Sequence, residues 1–274
     1  MVTWDAFLRS KVPNPETRKR YEAVVKSFNG WRGSRALTDG TVQEYREKLL
    51  GDYAPNSLSN MVAAINLYLE SKGVEARMKR PPKEIAANPK LVQADGYAAL
   101  LARIPNAEER LAVRLLHDTG LRPSDVVAVR LSDLYVADGI TSVRKRTRKT
   151  GAVTDSLVSK VTAAELKAYV EGAGVTDFIF RGETDKPHRH RTWPNAVLRK
   201  YGAEGITPRT FRRTLATNWT EDTTSLMAQG GWTDSKTIFL HYRRDVRARH
   251  VQAFEKAVGP VREPEPEDEV QGYR

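Results

Sequence analysis

The sequence predicts a mainly α-helical protein with one small β-sheet (α+β), arranged in two domains. Three observations carry this. Apolar residues recur at helical spacing over most of the chain. One stretch, around Thr150-Gly151, has strand-like composition on both sides of a turn. A basic, proline-rich segment, RMKRPPKEIAANPK from Arg77 to Lys90, separates an all-helical region from a mixed one. Proline at that density cannot continue a helix and favours extended chain.

The first domain, residues 1–80, reads as four short helices. The first runs from Thr3 to Lys11. Asn14-Pro15 opens the second, with Tyr21, Val24, Val25 and Phe28 on one side. Thr38-Asp39 precedes the third, carrying Val42, Tyr45 and Leu49. Pro55 opens the fourth, with Leu58, Met61, Ile65, Tyr68 and Leu69, and Gly73 closes it. A linker follows at 81–91.

The second domain spans 92–260. Helical patterns cover 95–104 and 107–118, with a short one after Pro123. Two strands, 140–147 and 153–159, form a hairpin. Helices follow at 162–171, 193–201, 207–219, 223–229, 235–242 and 246–258. The last has Val246, His250, Val251 and Phe254 along a face that could dock on another protomer or pack on its own. The acidic segment 261–274 reads as disordered.

Composition narrows the function. The chain has 274 residues and a formal charge of +11. Its last 13 residues, REPEPEDEVQGYR, carry −3, so the body carries +14. Such a body suits a polyanion, most often nucleic acid. The absence of cysteine removes disulfides, Cys-ligated zinc, iron–sulfur clusters and thiol nucleophiles. No apolar run reaches the roughly 18 residues of a membrane span. The start, MVTWDAFLRSK, lacks a signal-peptide pattern. The expected location is cytoplasmic, nucleoid-associated when bound to DNA. There is no P-loop and no GxGxxG. His188 and His190 lie among Arg181, Lys186, Arg189 and Arg191, whose charges repel a metal ion. No metal and no cofactor are expected.

Four stretches remain as carriers of chemistry. In TGLRPSDV, Gly120 ends one helix and Pro123 opens the next, so Arg122 sits at a helix start. Asp125, one turn on, can orient its guanidinium, or simply complement the helix dipole. In RKRTRKTG, the bases Arg144, Lys145, Arg146, Arg148 and Lys149 crowd the hairpin tip. That is a phosphate-contacting finger or a solvated basic loop. In TPRTFRRTLAT, Arg209 and Arg212 share a helix face at i, i+3, as a phosphodiester clamp would. In GGWTDSKTIFLHYRR, a helix capped by Asp234 or Ser235 ends near Tyr242, which Arg243 and Arg244 follow.

In this order the four stretches resemble the boxes of the tyrosine recombinases, or phage-type integrases. TGLRPSDV matches the first arginine box, Lys149 the hairpin lysine, and TPRTFRRTLAT the box usually written Thr-Pro-His-x-Leu-Arg-x-Thr. GGWTDSKTIFLHY matches the last box, with Trp232 at its His/Trp position and Tyr242 ten residues on. The helical module and linker match the family's core-binding domain, which clamps DNA together with the catalytic domain. The resemblance covers most of the chain.

The resemblance implies a site-specific recombinase that cleaves and rejoins DNA through a 3′-phosphotyrosyl intermediate. Tyr242 is then the nucleophile, and Arg122, Lys149, Arg209, Arg212 and Trp232 complete the catalytic set. Asp125 and His241 support it. Arg144, Lys145, Arg146, Arg148, Arg243 and Arg244 contact DNA. Four protomers assemble on double-stranded DNA, with a monomer as the free form. One departure stands out: Arg209 occupies a position where most members have histidine. Arginine stays protonated at working pH and cannot accept the tyrosine proton. That departure resembles integrases of archaeal viruses and plasmids, and favours integration and excision of a mobile element. The alternatives are a resolvase of chromosome or plasmid multimers with the same chemistry, or a non-catalytic DNA-binding protein.

Overall fold

Short polar side chains and prolines start the N-terminal helices. The computed structural model describes residues 3–82, 90–146, 151, 153–183, 185–220 and 222–242. Thr3 accepts the Ala6 N–H at 3.3 Å and opens α1 (Trp4–Lys11). Asn14 accepts from the N–H groups of Glu16 and Thr17, and Pro15 begins α2 (Pro15–Arg32). Thr38 caps α3 (Asp39–Asp52), and Pro55 begins α4 (Pro55–Ser71). Each cap satisfies an N–H that has no partner within its own helix, and each proline removes one.

The facing sides of these helices close a core around Val25, Phe28, Val42, Tyr45, Leu58 and Ile65. The chain beyond α4 is laid against the same core. Met78 is buried, and Asn66 bonds both its N–H and its C=O, at 2.8 and 3.0 Å. Arg46 donates to the Lys79 carbonyl. Residues 83–89, the middle of the proline-rich segment, lie outside the described residues.

The chain divides into two compact units, Met1–Ala87 and Asn88–Arg274. The second contains α5 (Ala94–Ala102), α6 (Ala107–Thr119), α7 (Pro123–Val126) and a 3-10 turn (Leu131–Asp133). Next come β1 (Leu134–Ala137), β2 (Ile140–Arg146) and β3 (Val153–Leu157). Then follow α8 (Lys160–Gly172), α9 (Trp193–Lys200), α10 (Pro208–Asn218), α11 (Thr223–Gly230) and α12 (Ser235–His241). The architecture is therefore mainly helical, with a three-stranded antiparallel sheet in the order β1-β2-β3. Helix α6 packs against α8, α9 and α10 around Leu111, Leu115, Leu116, Phe180 and Phe211. The segment 246–258 and the acidic tail lie outside the described residues.

Strand β1 is an addition to the sequence reading, which has two strands. It pairs with β2 through a turn at Asp138-Gly139, where both residues have positive φ (51° and 73°). That is the geometry of the tightest hairpin loops, and Asp-Gly is its favoured dipeptide. Among the described residues no helix is long and apolar enough to cross a membrane.

The end of α6 is tied to the start of α8 by Asp118. Its carboxylate accepts the Ser159 N–H at 2.9 Å and lies 3.0 Å from His117 Nδ1. Burial pushes this carboxyl up, but hydrogen bonds from His117, Thr162 and Ser159 together outweigh it and hold it below the ordinary range. A carboxylate lowered by folding adds stability above its unfolded value, about 4, and that stability is lost as pH falls through the folded value. Asp118→Asn is therefore expected to flatten the loss of stability below about pH 4. Urea unfolding at pH 5 and at pH 3 measures it.

Candidate active site

Gly120 sets up the first arginine. It ends α6 in the left-handed region (φ 58°), with its N–H on the Leu116 carbonyl. A Cβ there would lie 2.5 Å from the tip of Leu215, which would have to shift, and the positive φ itself favours glycine. The chain then turns, and Arg122 becomes the N-cap of α7, with Pro123 after it. Arg122 Nη1 lies 3.8 Å from the fully buried Asp125 carboxylate, the partner expected from sequence.

Helix α10 supplies the next two. Thr207 and Thr210 form a reciprocal cap, each side chain taking the other's N–H. Phe211 enters the core, and the i, i+3 pair Arg209 and Arg212 takes two different environments. Arg209 is exposed. Arg212 is 3% exposed, and its Nη1 donates to the carbonyls of Gly120 and Gly230. Its guanidinium lies 3.7 Å from the centre of the Trp232 ring. Burial pulls Arg212 down to about 10, so it remains charged at neutral pH.

Trp232 is the floor on which Arg212 rests. Gly231 ends α11 in the left-handed region, which folds Trp232 back over the preceding residue. A Cβ on Gly230 would lie 1.7 Å from the Trp232 ring. Gly230→Ala is therefore expected to displace Trp232 and the carbonyl that holds Arg212. A cost of about 1–3 kcal/mol in stability is expected, together with loss of DNA cleavage. Thermal unfolding and a cleavage assay on one preparation measure both.

Tyr242 follows α12, which Asp234 caps through the N–H groups of Lys236 and Thr237. The sequence reading ends this helix at Tyr242; the structure ends it one residue earlier. The Tyr242 N–H bonds the Ile238 carbonyl, and its own carbonyl accepts from Thr217 of α10 at 3.0 Å. Its ring stands edge-on to Trp232, with centroids 5.5 Å apart. The guanidinium carbons of Arg212 and Arg209 lie 5.4 and 5.7 Å from the same ring.

A cleft of about 590 Å³ opens over this group. Arg122, Arg209, Arg212 and Tyr242 line it, together with Arg191, which the sequence analysis names only as one of the charges around the two histidines, and with Ser124, Asn195 and Thr237, which it does not mention. Arg191 and Asn195 flank the start of α9, and they reach the cleft because α9 and α10 both dock on α6. Four arginines and one phenol in a cleft can receive a phosphodiester.

The basic hairpin is less uniform than its sequence. Arg144 pairs with Asp155 at 3.0 Å and stacks on Tyr135, and Arg146 donates to the Gly151 carbonyl. Lys145, which the sequence reading offers to DNA, is engaged within the protein. Strand alternation turns it inward, where its ammonium donates to the Ala128 carbonyl at 2.5 Å and lies 3.4 Å from Asp133. Lys149, Arg148, Arg243, Arg244 and the His241 side chain lie outside the described residues. Arg189, between the two histidines, pairs with Glu108 and Glu183. Among the described residues no three His, Cys, Asp or Glu side chains are grouped to hold a metal ion.

The family model described as "Phage integrase family" matches residues 90–249. Tyrosine recombinase XerA of Thermococcus kodakarensis is 26% identical over 238 residues, covering 82% of this chain and 82% of that protein. The crystal structure of XerA recombinase superposes with a TM-score of 0.52 at 17% identity, over 93% of this chain and 96% of that one. A lambda integrase tetramer bound to a Holliday junction gives 0.68 at 16% identity, over 89% and 78%. These two structures share the fold.

Proposed function

The chain belongs to the phage integrase family, the tyrosine recombinases that cleave and rejoin DNA at specific sites, and from that premise we propose how its own residues do so. The phenolic oxygen of Tyr242 attacks a DNA phosphorus. The P–O5′ bond breaks, leaving a 3′-phosphotyrosyl link and a free 5′ hydroxyl. The phenol proton passes to solvent, since Arg209 cannot take it. Lys149 gives its proton to the departing 5′ oxygen as general acid.

Arg122, Arg209 and Arg212 stabilise the charge on the pentavalent phosphorus, typically the largest contribution in such reactions. Asp125 holds Arg122, and Trp232 backs Arg212. Arg144, Arg146, Arg148, Arg243 and Arg244 meet the surrounding phosphates, with His241 in support. The phosphotyrosyl bond conserves the energy of the broken phosphodiester, so attack by another 5′ hydroxyl reseals DNA with neither ATP nor metal. The observation that carries this reading is the meeting of Tyr242 with Arg122, Arg209 and Arg212 in one cleft. Cations so close repel one another until an anion lies between them.

The same proposal has four protomers acting on two DNA sites, as the lambda integrase tetramer does on its junction. Arg209 in the histidine position favours integration and excision of a mobile element. The likeness to XerA favours a second use of the same chemistry, the resolution of multimers. The test uses DNA spanning the junctions that flank this gene, nicked to trap the intermediate and run on a denaturing gel with chelator present. A covalent protein–DNA band is expected. Tight binding with no band would instead make the protein a non-catalytic DNA binder. Joining of two unlike sites on separate molecules supports integration; circles excised between identical direct repeats support resolution.

A further inference from the structure

Helix α9 has one face in the core and one on the cleft. Pro194, Val197 and Leu198 are buried. Arg191, Asn195 and Arg199 recur every four residues, the spacing of neighbours on one helix face. Thr192 already has helical backbone (φ −86°, ψ −13°), so the row extends back to Arg191, two residues ahead of the helix. The row lines two adjoining clefts. Arg191 and Asn195 line the one that holds Tyr242. Asn195 and Arg199 line a second, of about 510 Å³, and the two clefts share Asn195 and Thr207.

Charge sets this row apart from the bases beside it. Helix α6 neutralises those: Arg189 pairs with Glu108 at 3.0 Å, and Lys200 with Glu109 at 3.0 Å. Among the described residues the side chains of Arg191, Asn195 and Arg199 have no ion pair and no hydrogen bond. Both arginines are exposed, and the asparagine between them is half-buried. The order is cation, amide, cation, with steps of about 6 Å along the axis. A cation holds any phosphate and carries no sequence information. An amide between two phosphate contacts lies where base edges lie. Asparagine fits adenine there, because its oxygen accepts from N6–H and its nitrogen donates to N7 together. The major groove, about 12 Å wide, admits a helix.

We propose that Asn195 is a specificity-determining residue, which reads an adenine in the major groove beside the scissile phosphate while Arg191 and Arg199 hold phosphates on either side. The inference rests on the reading of the Tyr242 cleft as the place of DNA cleavage. It supplies what the arginines around Tyr242 cannot, since phosphates are alike at every step of the duplex. The cleft shared by Asn195 and Tyr242 puts the base that is read near the bond that is cut. The row is about 12 Å long, the length of three to four base steps.

The probe is a pool of DNA duplexes with a randomised central segment. Duplexes bound by wild type, Asn195→Ala, Asn195→Asp, Arg191→Ala and Arg199→Ala are sequenced, and the covalent product of wild type on its selected duplexes maps the cut. Wild type is expected to select a motif with an adenine within about four base pairs of the cut. Asn195→Ala is expected to lose about tenfold in preference at that position alone. Asn195→Asp, of nearly the same size, is expected to shift it toward cytosine, whose N4–H donates to a carboxylate. Arg191→Ala and Arg199→Ala are expected to keep the motif and to lower the slope of affinity against salt by about one each. A motif that both Asn195 variants leave unchanged or weaken evenly at every position overturns the inference, as does a wild type that selects no motif. Covalent product from wild type in those cases leaves the Tyr242 reading intact. No covalent product from wild type overturns the Tyr242 reading, whichever way the motif responds.

Discussion

Tyr242→Phe is expected to abolish the covalent protein–DNA adduct while leaving DNA affinity within about twofold of wild type. The variant removes one oxygen, and with it that oxygen's interaction with the Arg212 guanidinium, but keeps the ring. Edge-on packing against Trp232 and the approach of Arg209 and Arg212 both use the aromatic face or edge. The backbone bonds to Ile238 and Thr217 are untouched. Fold and cleft should therefore persist. Loss of the only nucleophile in a covalent mechanism lowers the rate by roughly 10⁴-fold or more. Adduct formation on nicked DNA and a binding isotherm, taken on the same preparation, separate the two effects. Residual adduct in the phenylalanine variant would move the nucleophile to another residue.

The second large effect is expected at Arg212, where even lysine should fail. A guanidinium can reach the carbonyls of Gly120 and Gly230 while lying flat on Trp232. An ammonium is a point charge on a flexible stem and cannot hold that plane. In Arg212→Lys the shorter side chain stops short of the place of Nη1, the one atom that serves both carbonyls, at a cost of about 1–3 kcal/mol. It also withdraws a fixed donor from the phosphate, which typically costs about 10²–10³-fold in rate. Both losses are expected together, read by thermal unfolding and by single-turnover cleavage. Arg209→Lys is the contrast. Arg209 is exposed, so its replacement should slow cleavage with little change in stability.

The placement of Arg212 shows where sequence reasoning stops. The i, i+3 spacing puts Arg209 and Arg212 on one helix face. Nothing in that spacing says that one is sealed against tryptophan and the other is open to solvent. The partners of Arg212 are carbonyls 92 and 18 residues away. Carbonyls carry no residue signature, so no motif announces them. Gln229 is similar: in sequence it is one polar residue near a helix end, and only the β3 edge beside it makes it a hub.

Features governed by local chemistry were legible without coordinates. Helix starts at Thr3, Asn14, Thr38, Pro55, Thr207 and Asp234 follow from capping chemistry, which acts over three residues. Core faces such as Val42, Tyr45 and Leu49 follow from the helical period. The order of the arginine, lysine and tyrosine boxes is linear information and pointed to the family. Strand β1 is absent from the sequence reading despite the local signal of Asp138-Gly139, because four residues alternate too briefly to stand out alone.

What the chain order could not decide was which charges look inward. Lys145 and Arg144 are neighbours in one basic run, yet the pleat sends Lys145 to Ala128 and Asp133 while Arg144 stacks on Tyr135. Burial of a charge depends on what the opposite element offers it, a carbonyl, a carboxylate or a ring face. Those partners are brought by packing across 12 to 92 residues of chain. The sequence by itself determined where most of the described helices start, and it named a set of candidate reactive groups. The tertiary structure alone decided which of those groups converge on the cleft, because that choice is made by contacts between elements that have no neighbours in sequence.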